Sequence, residues 1–430
     1  MKIIGCKSHS SMVSLIVFPF LVVTVSSLDN GLARTPPMGW MSWATFFCEI
    51  DCDKYPNHCI NEKLYKEMAD RLVSDGFLEA GYNRVHIDDC WMEKSREHGR
   101  LVADRKRFPS GMKNLAKYMH DRKLQLGLYE DFGTKTCAGY PGSLDHMKED
   151  AETFASWDVD YLKFDGCFVD TDLMPQGYPK MERALNETGR PIVYACGWPL
   201  FFHIHGKEDK IKYDDVRAAC NSWRIYDDVL GSWESISGII RYVEKYQDIL
   251  IAAQKPGGWN DPDMLVIGLP NVTVDQAVVQ MTLWSIWSAP LIMSNDLRDL
   301  RPEFKEILLN RDVIAIDQDP MGIMGKLVRK SESVGVYLKP VTPTRDDKTS
   351  FALAVVNKNE LEIKDVQFSL ESIGIPTGEH YHMKDLWTGG ERETVDSSHV
   401  VKLQLRPTSA VMLKLTLVES YCEELSLSRL

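Results

Sequence analysis

Positive charge is in short supply in this sequence. Its 430 residues hold 50 Lys and Arg against 62 Asp and Glu, a formal charge of −12. An acidic balance of this kind argues against nucleic acid and against anionic membrane surfaces as partners. Long apolar runs are missing beyond residues 1–27, so no later stretch is suited to spanning a bilayer. Ten cysteines are present, yet no two are spaced C-x-x-C, which argues against a zinc site. No Gly-rich phosphate loop follows the first predicted strand, which disfavours a doubly wound nucleotide-binding sheet. Internal repeats, coiled-coil heptads and low-complexity linkers are absent too.

What is present begins with an export pattern. Lys2 and Lys7 precede an apolar run through Met12–Val25, and the small residues Ser26 and Ser27 stand before Leu28. Residues 1–27 therefore read as a secretory signal peptide rather than a membrane anchor. Cys6 belongs to that segment, eight cysteines fall between Cys48 and Cys220, and Cys422 stands alone. In an exported chain an even cluster of eight predicts four disulfides, whose pairing the sequence leaves open. Two sequons, at Asn186 and Asn271, predict glycosylation in the same compartment.

From Leu28 to about Asp319, short apolar strands alternate with helical patterns. The candidate strands are Pro37–Trp43, Tyr82–Ile87, Gln125–Tyr129, Tyr161–Phe164, Pro191–Cys196, Ala218–Trp223, the stretch before Gly257, and Pro290–Met293. Between them, Leu64, Met68 and Leu72 share one helical face, as do Met112, Leu115 and Met119. Met147, Ala151 and Phe154, and then Ile236, Ile240 and Val243, repeat the pattern. Eight strands with intervening helices predict an α/β protein, a (β/α)8 TIM barrel over residues 28–322. After it the texture changes to short alternating strands with turn-rich connections. Residues 323–430 are expected to form an antiparallel β-sandwich domain.

In such a barrel, function sits at the carboxyl ends of the strands. Tyr161-Leu162-Lys163-Phe164-Asp165-Gly166 reads as a strand closing on a carboxylate, and the period of two turns Lys163 and Asp165 to one side. A cation there would keep a nucleophile ionised, although a structural Lys–Asp pair explains this run alone equally well. The other strand ends carry Trp40 and Trp43, Asp88-Asp89-Cys90-Trp91, Tyr129-Glu130-Asp131, Gly197-Trp198, Arg224 with Asp227 and Asp228, and Trp259-Asn260-Asp261-Pro262-Asp263. One Asp at a strand end is usually a turn residue. Carboxylates and tryptophans repeated around one barrel suit a sugar, with rings against its C–H faces and carboxylates for its hydroxyls and for acid–base chemistry.

With Leu28-Asp29-Asn30-Gly31-Leu32-Ala33, Met38-Gly39-Trp40, Ile87-Asp88-Asp89-Cys90-Trp91, Lys163-Phe164-Asp165-Gly166-Cys167 and Gly257-Gly258-Trp259-Asn260-Asp261-Pro262-Asp263-Met264, the chain resembles glycoside hydrolase family 27, the lysosomal-type α-galactosidases and α-N-acetylgalactosaminidases. The resemblance implies a retaining hydrolase with Asp165 as nucleophile and Asp228 as acid/base, Asp227 being a rival next door. It implies Trp43 as an aromatic wall, Asp88 and Asp89 on the C4 and C6 hydroxyls, Tyr129 lining the pocket, and Lys163 on the C3–C4 side. Arg224 would meet the C2 substituent, and Asp263, Gly197 and Leu200 complete the binding set. The implied disulfides are Cys48–Cys90, Cys52–Cys59, Cys137–Cys167 and Cys196–Cys220. No metal or organic cofactor is implied; His203 and His205 read as plain loop residues. The implied partners are terminal α-galactosides of glycolipids, glycoproteins or oligosaccharides, cleaved by a homodimer that is lysosomal or secreted.

Within the family the loop after the fifth strand separates the two substrates, with Glu and Leu in animal galactosidases and Ser and Ala in acetylgalactosaminidases. Here it reads Cys196-Gly197-Trp198-Pro199-Leu200. Leu200 matches the galactosidase and is expected to crowd an N-acetyl group. Gly197 matches neither; it removes a carboxylate that would hold a C2 hydroxyl and is expected to open space. Glu at that position is expected to tighten galactose binding. The preferred reading is α-galactosidase, with α-N-acetylgalactosaminidase as the alternative and a non-catalytic sugar-binding protein behind both.

Overall fold

The computed structural model describes residues 28, 30–390 and 393–418; the signal segment, Cys6 and Cys422 lie outside the described residues. Eight short strands, β1 (Met38–Met41), β2 (Arg84–Ile87), β3 (Gln125–Asp131), β4 (Tyr161–Asp165), β5 (Val193–Cys196), β6 (Ser222–Arg224), β7 (Trp259–Asp261) and β8 (Leu291–Met293), form one sheet. Its order is β7-β6-β5-β4-β3-β2-β1-β8, with every pairing parallel. The ring closes just past β7, where Leu265 N donates to Ile292 O at 2.8 Å and Leu265 bridges to Met293. Nearly all strand residues are buried, because helices cover the outer face and side chains fill the inner one.

The helices bury the faces their periodicity sets out. Glu62–Ser74 starts where the Asn61 side chain accepts from Leu64 N, and it buries Leu64, Met68 and Leu72. Gly111–His120, Met147–Ser156 and Trp233–Ala253 bury the predicted apolar residues in the same way. Two strand boundaries differ from expectation. The apolar stretch before Gly257 continues the helix Trp233–Ala253, since Leu250 and Ala253 keep its buried face, and the strand starts only at Trp259. Likewise Ala218 and Ala219 finish the helix Tyr213–Ala219, leaving β6 as Ser222–Arg224.

The second unit is an antiparallel sandwich. β9 (Lys326–Ser331), β10 (Val334–Arg345), β11 (Lys348–Asn357), β13 (His380–Asp385), β14 (Glu393–Asp396) and β16 (Ser409–Leu417) form the larger sheet, ordered β14-β13-β16-β11-β10-β9. β12 (Lys364–Ser369) and β15 (Val400–Leu405) pair as the smaller layer. Val336, Leu353, Val355 and Leu415 pack across to Phe368, Val401 and Leu405 in one core. Hydropathy did not point to β9 and β14, which are polar strands at the two edges, where one side stays wet. Sandwich and barrel are pinned together by buried charge. Lys339 donates to Ser285 O (3.0 Å), Ser288 Oγ (2.6 Å) and Ile316 O (2.6 Å), while Glu244 accepts from Lys330 at 2.8 Å, from Tyr337 and from Lys358.

Candidate active site

Because side chains alternate along a strand, Tyr161, Lys163 and Asp165 of β4 all face the barrel interior, and Asp165 emerges at its carboxyl end. There a pocket is lined by Lys163, Asp165, Gly197, Arg224, Asp261 and Asp263, with Met41, Tyr161 and Met264 among the walls. Asp165 is held from three sides. Its Oδ2 accepts from the Tyr129 hydroxyl at 3.0 Å, and its backbone carbonyl accepts from the Tyr178 hydroxyl at 2.9 Å. Sγ of Cys137, in the Cys137–Cys167 disulfide, lies 3.6 Å from the same Oδ2. The other disulfides are Cys48–Cys90, Cys52–Cys59 and Cys196–Cys220.

Lys163 reaches past Asp165. Its ammonium donates to Asp88 Oδ2 at 2.8 Å, so its direct ion pair is with β2's carboxylate and it acts on Asp165 through space. Across the pocket, Arg224 donates to Asp228 Oδ1 at 3.0 Å and pairs with Asp263 Oδ1 at 3.2 Å. Asp263 Oδ2 in turn accepts from Val229 N at 2.8 Å, which holds the loop carrying Asp228. Trp43 also helps to lower the Asp228 pKa. Asp227 next door is exposed, as is Asp228; of the two, Asp228 is the one bonded to Arg224.

The remaining predicted residues divide. Asp89 accepts from Cys90 N at 2.6 Å and from Ala138 N at 2.9 Å, which braces the loop that carries Cys137. Leu200 lies on the short helix Trp198–Ile204, buried in the core and outside the pocket lining. Gly197 does line the pocket, but the space beside it is not open. A Cβ there would stand 2.8 Å from Asp165 Oδ1 and 3.1 Å from the Phe201 ring. Asn186 and Asn271 are both exposed. His203 and His205 do not converge: one ring nitrogen meets Glu208 and the other the Phe201 carbonyl.

Asp131 and Asp261 stood among the strand-end carboxylates in the sequence but had no role of their own there. Asp131 pairs in register with Asp165 and accepts from Gly133 N at 2.6 Å and Cys167 N at 2.9 Å, fixing the turn that follows the strand. Asp261 accepts from Asp263 N at 2.9 Å. For Asp131 the signal was legible: it lies two residues from Tyr129 on the same strand and so faces the same side.

Burial pushes the Asp165 carboxyl up; Lys163 opposes this, and the charge of Asp228 adds to it. Burial raises Asp228 as well, but Arg224 and then Lys163 outweigh it and hold that carboxyl below its usual range. The Asp228 side chain is 46 % exposed, so water screens part of this hold. Each carboxylate feels the other, and the two titrate as a pair rather than singly. Burial carries Asp89 and Asp263 up to about 6.

A barrel of eight parallel strands with acidic strand ends, followed by an antiparallel sandwich, defines a class of carbohydrate-cleaving enzymes. The family model for alpha galactosidase A matches residues 35–319, and that for the alpha galactosidase C-terminal beta sandwich domain matches 332–415. Over 388 residues the chain is 44 % identical to α-N-acetylgalactosaminidase of Gallus gallus, covering 90 % of this chain and 94 % of that one. Over 360 residues it is 45 % identical to human α-galactosidase A, covering 83 % and 82 %. The crystal structure of α-galactosidase I from Mortierella vinacea superposes with a TM-score of 0.80 at 27 % identity, covering 91 % of this chain and all of that one. The chain belongs to the α-galactosidase A family of glycoside hydrolases.

Proposed function

We propose that the chain is a retaining α-galactosidase, with 28–322 as its catalytic barrel and 323–430 as its β domain. Asp165 attacks the anomeric carbon while Asp228 gives its proton to the departing glycosidic oxygen. Asp228 then takes a proton from water, and that water releases the sugar from Asp165 with its α configuration kept. Trp43, Asp88, Asp89, Tyr129 and Lys163 hold the galactosyl ring, and Arg224 with Asp263 meets its C2 side. The observation that carries this reading is Asp165 and Arg224 on one pocket lining, with Arg224 bonded to Asp228 at 3.0 Å and the charge of Asp228 felt at Asp165.

Galactose over N-acetylgalactosamine is supported by Leu200, which stands where the animal galactosidases of the family carry Leu, its side chain being buried in the core outside the pocket lining. The second reading, α-N-acetylgalactosaminidase, is favoured by relatives of both names at like identity. Parallel kcat/KM measurements with the two p-nitrophenyl glycosides decide between them. Preference for the N-acetylated substrate overturns the first reading, and turnover of neither overturns both. The substrates are terminal α-galactosides of glycolipids, glycoproteins or oligosaccharides. The leader pattern and four disulfides support a lysosomal or secreted enzyme, and the family resemblance supports a homodimer, which sedimentation tests.

A further inference from the structure

One short helix, Trp198–Ile204, makes contact on both sides of the site. At its start a Cβ on Gly197 would stand 2.8 Å from Asp165 Oδ1 and 3.1 Å from the Phe201 ring. Near its end, His203 meets the loop that carries Asp228. The ring centroids of His203 and Tyr226 are 4.8 Å apart, those of His203 and Tyr242 4.9 Å, and those of Tyr226 and Tyr242 4.8 Å. The three rings close a triangle in which each lies in contact range of the other two. Tyr242 is its fixed corner, buried on the helix Trp233–Ala253. The His203 ring is fixed by Glu208, whose Oε1 lies 2.8 Å from Nδ1. An ionised carboxylate only accepts, so Nδ1 carries the proton.

Tyr226 precedes Asp228 by two residues, and one atom joins their positions. Arg224 Nη2 donates to the Tyr226 carbonyl at 3.1 Å and to Asp228 Oδ1 at 3.0 Å. Beyond Asp228 the loop is held by the bond from Val229 N to Asp263. Before it, the Tyr226 ring is held in the triangle. Asp227 and Asp228 are themselves exposed, so their own burial does not fix them.

We propose that His203 is a positioning residue for the acid. By completing the triangle it fixes Tyr226, and through the shared Arg224 nitrogen it sets where the Asp228 carboxylate stands. This rests on the reading of Asp165 as nucleophile and Asp228 as acid. A retaining pair works at a separation of about 5–5.5 Å. Here the same helix packs against the nucleophile at one end and against the acid's loop at the other. A proton donor must lie within hydrogen-bond reach of the oxygen it serves, so a displaced acid costs most where the leaving group needs a proton.

The test compares the methyl and 2,4-dinitrophenyl glycosides of whichever sugar the wild type cleaves, read as kcat/KM, which reports the first bond broken. Dinitrophenolate departs without a proton, and methanol needs one. His203→Ala is expected to lose about tenfold on the methyl glycoside and to stay within about twofold on the dinitrophenyl one. Methyl is the smaller aglycone, so weakened aglycone binding would give the opposite order. Tyr226→Leu is expected to show the same selective loss. His203→Phe, which keeps a ring in the triangle, is expected to stay within about threefold of wild type on the methyl glycoside. Asp228→Ala, run alongside, tests the underlying reading and should show the selectivity more strongly, at about a hundredfold. If Asp228→Ala shows no selectivity, the acid assignment falls and the role of His203 with it. If Asp228→Ala shows it while a folded His203→Ala or Tyr226→Leu slows both substrates alike, or slows neither, His203 is not a positioning residue. A His203→Phe variant as impaired as His203→Ala overturns the ring contact as the cause. Turnover of neither sugar's glycosides by the wild type overturns the proposed function and this inference together.

Discussion

Gly197 faces Asp165 so closely that a single methyl group added to it would stand 2.8 Å from Oδ1. The glycine is there for that close approach and not for its backbone, which has an ordinary helical φ of −75°. The sequence alone suggested that the small residue opens room for substrate. In the fold, the nucleophile candidate and Phe201 already take that room.

Gly197→Ala is accordingly expected to displace the Asp165 carboxylate while the protein stays folded. Overpacking of this kind costs roughly 1–3 kcal/mol, or about ten- to a hundredfold in rate if it falls on the transition state. Glu at this position carries the same Cβ and should also slow turnover, contrary to the expectation from sequence. Steady-state kinetics with p-nitrophenyl α-galactoside check this; a kcat within twofold of wild type for Gly197→Ala would show that the contact does not bear on catalysis.

Asp165→Asn should abolish turnover with the melting temperature little changed, since Asn keeps an oxygen able to accept from Tyr129. With wild type, proton NMR of the first-formed product should show the α-anomer. A first-formed β-anomer would rule out a double displacement.

The pH profile of kcat/KM should be a bell in the acid range, with limbs that belong to the carboxylate pair. The charge of Asp228 raises the Asp165 pKa, so removing it should lower that pKa. For Asp228→Ala, assayed with an activated aryl glycoside and azide, the acid limb should therefore move to lower pH and the basic limb should vanish. If instead Asp227→Ala shows azide rescue and Asp228→Ala does not, the acid is Asp227.

Stability should be greatest in acid. Burial raises Glu130 and Asp131 well above the ordinary range, and Asp89 and Asp263 to about 6. Among the described residues neither Glu130 oxygen has a hydrogen-bond partner, because nearby Asp150 takes Arg96 (2.5 and 2.7 Å) and Ser143 (2.7 Å). A carboxyl whose folded pKa exceeds its unfolded one, about 4, binds its proton more tightly when folded. Its contribution is then full below about pH 4 and is lost as pH rises through the folded value. Melting curves from pH 5 to 7.5 should fall with rising pH, and Glu130→Gln should flatten the fall. Parallel curves for the two proteins would exonerate Glu130.

Alternation by itself determined much of this protein. The period of two in Tyr161, Lys163 and Asp165 sends those side chains inward whatever the rest of the fold does, because a strand has only two faces. The eight strand-and-helix units, too, were legible from apolar spacing, since each helix must bury one stripe and each barrel strand both faces. Where apolar runs had no period to tell helix from strand, as before Gly257, only the tertiary packing of Leu250 and Ala253 decided. Partnership was likewise beyond the sequence. Lys163 lies two residues from Asp165 but pairs with Asp88, 75 residues away, and Asp89 adjoins Asp88 yet accepts from Ala138 N, 49 residues on. Spacing along one strand sets which way a side chain points, while the closing of the barrel sets what it meets there. The crowding of Gly197 against Asp165 arises the same way, across neighbouring strands, where adjacency in space owes nothing to adjacency in the chain.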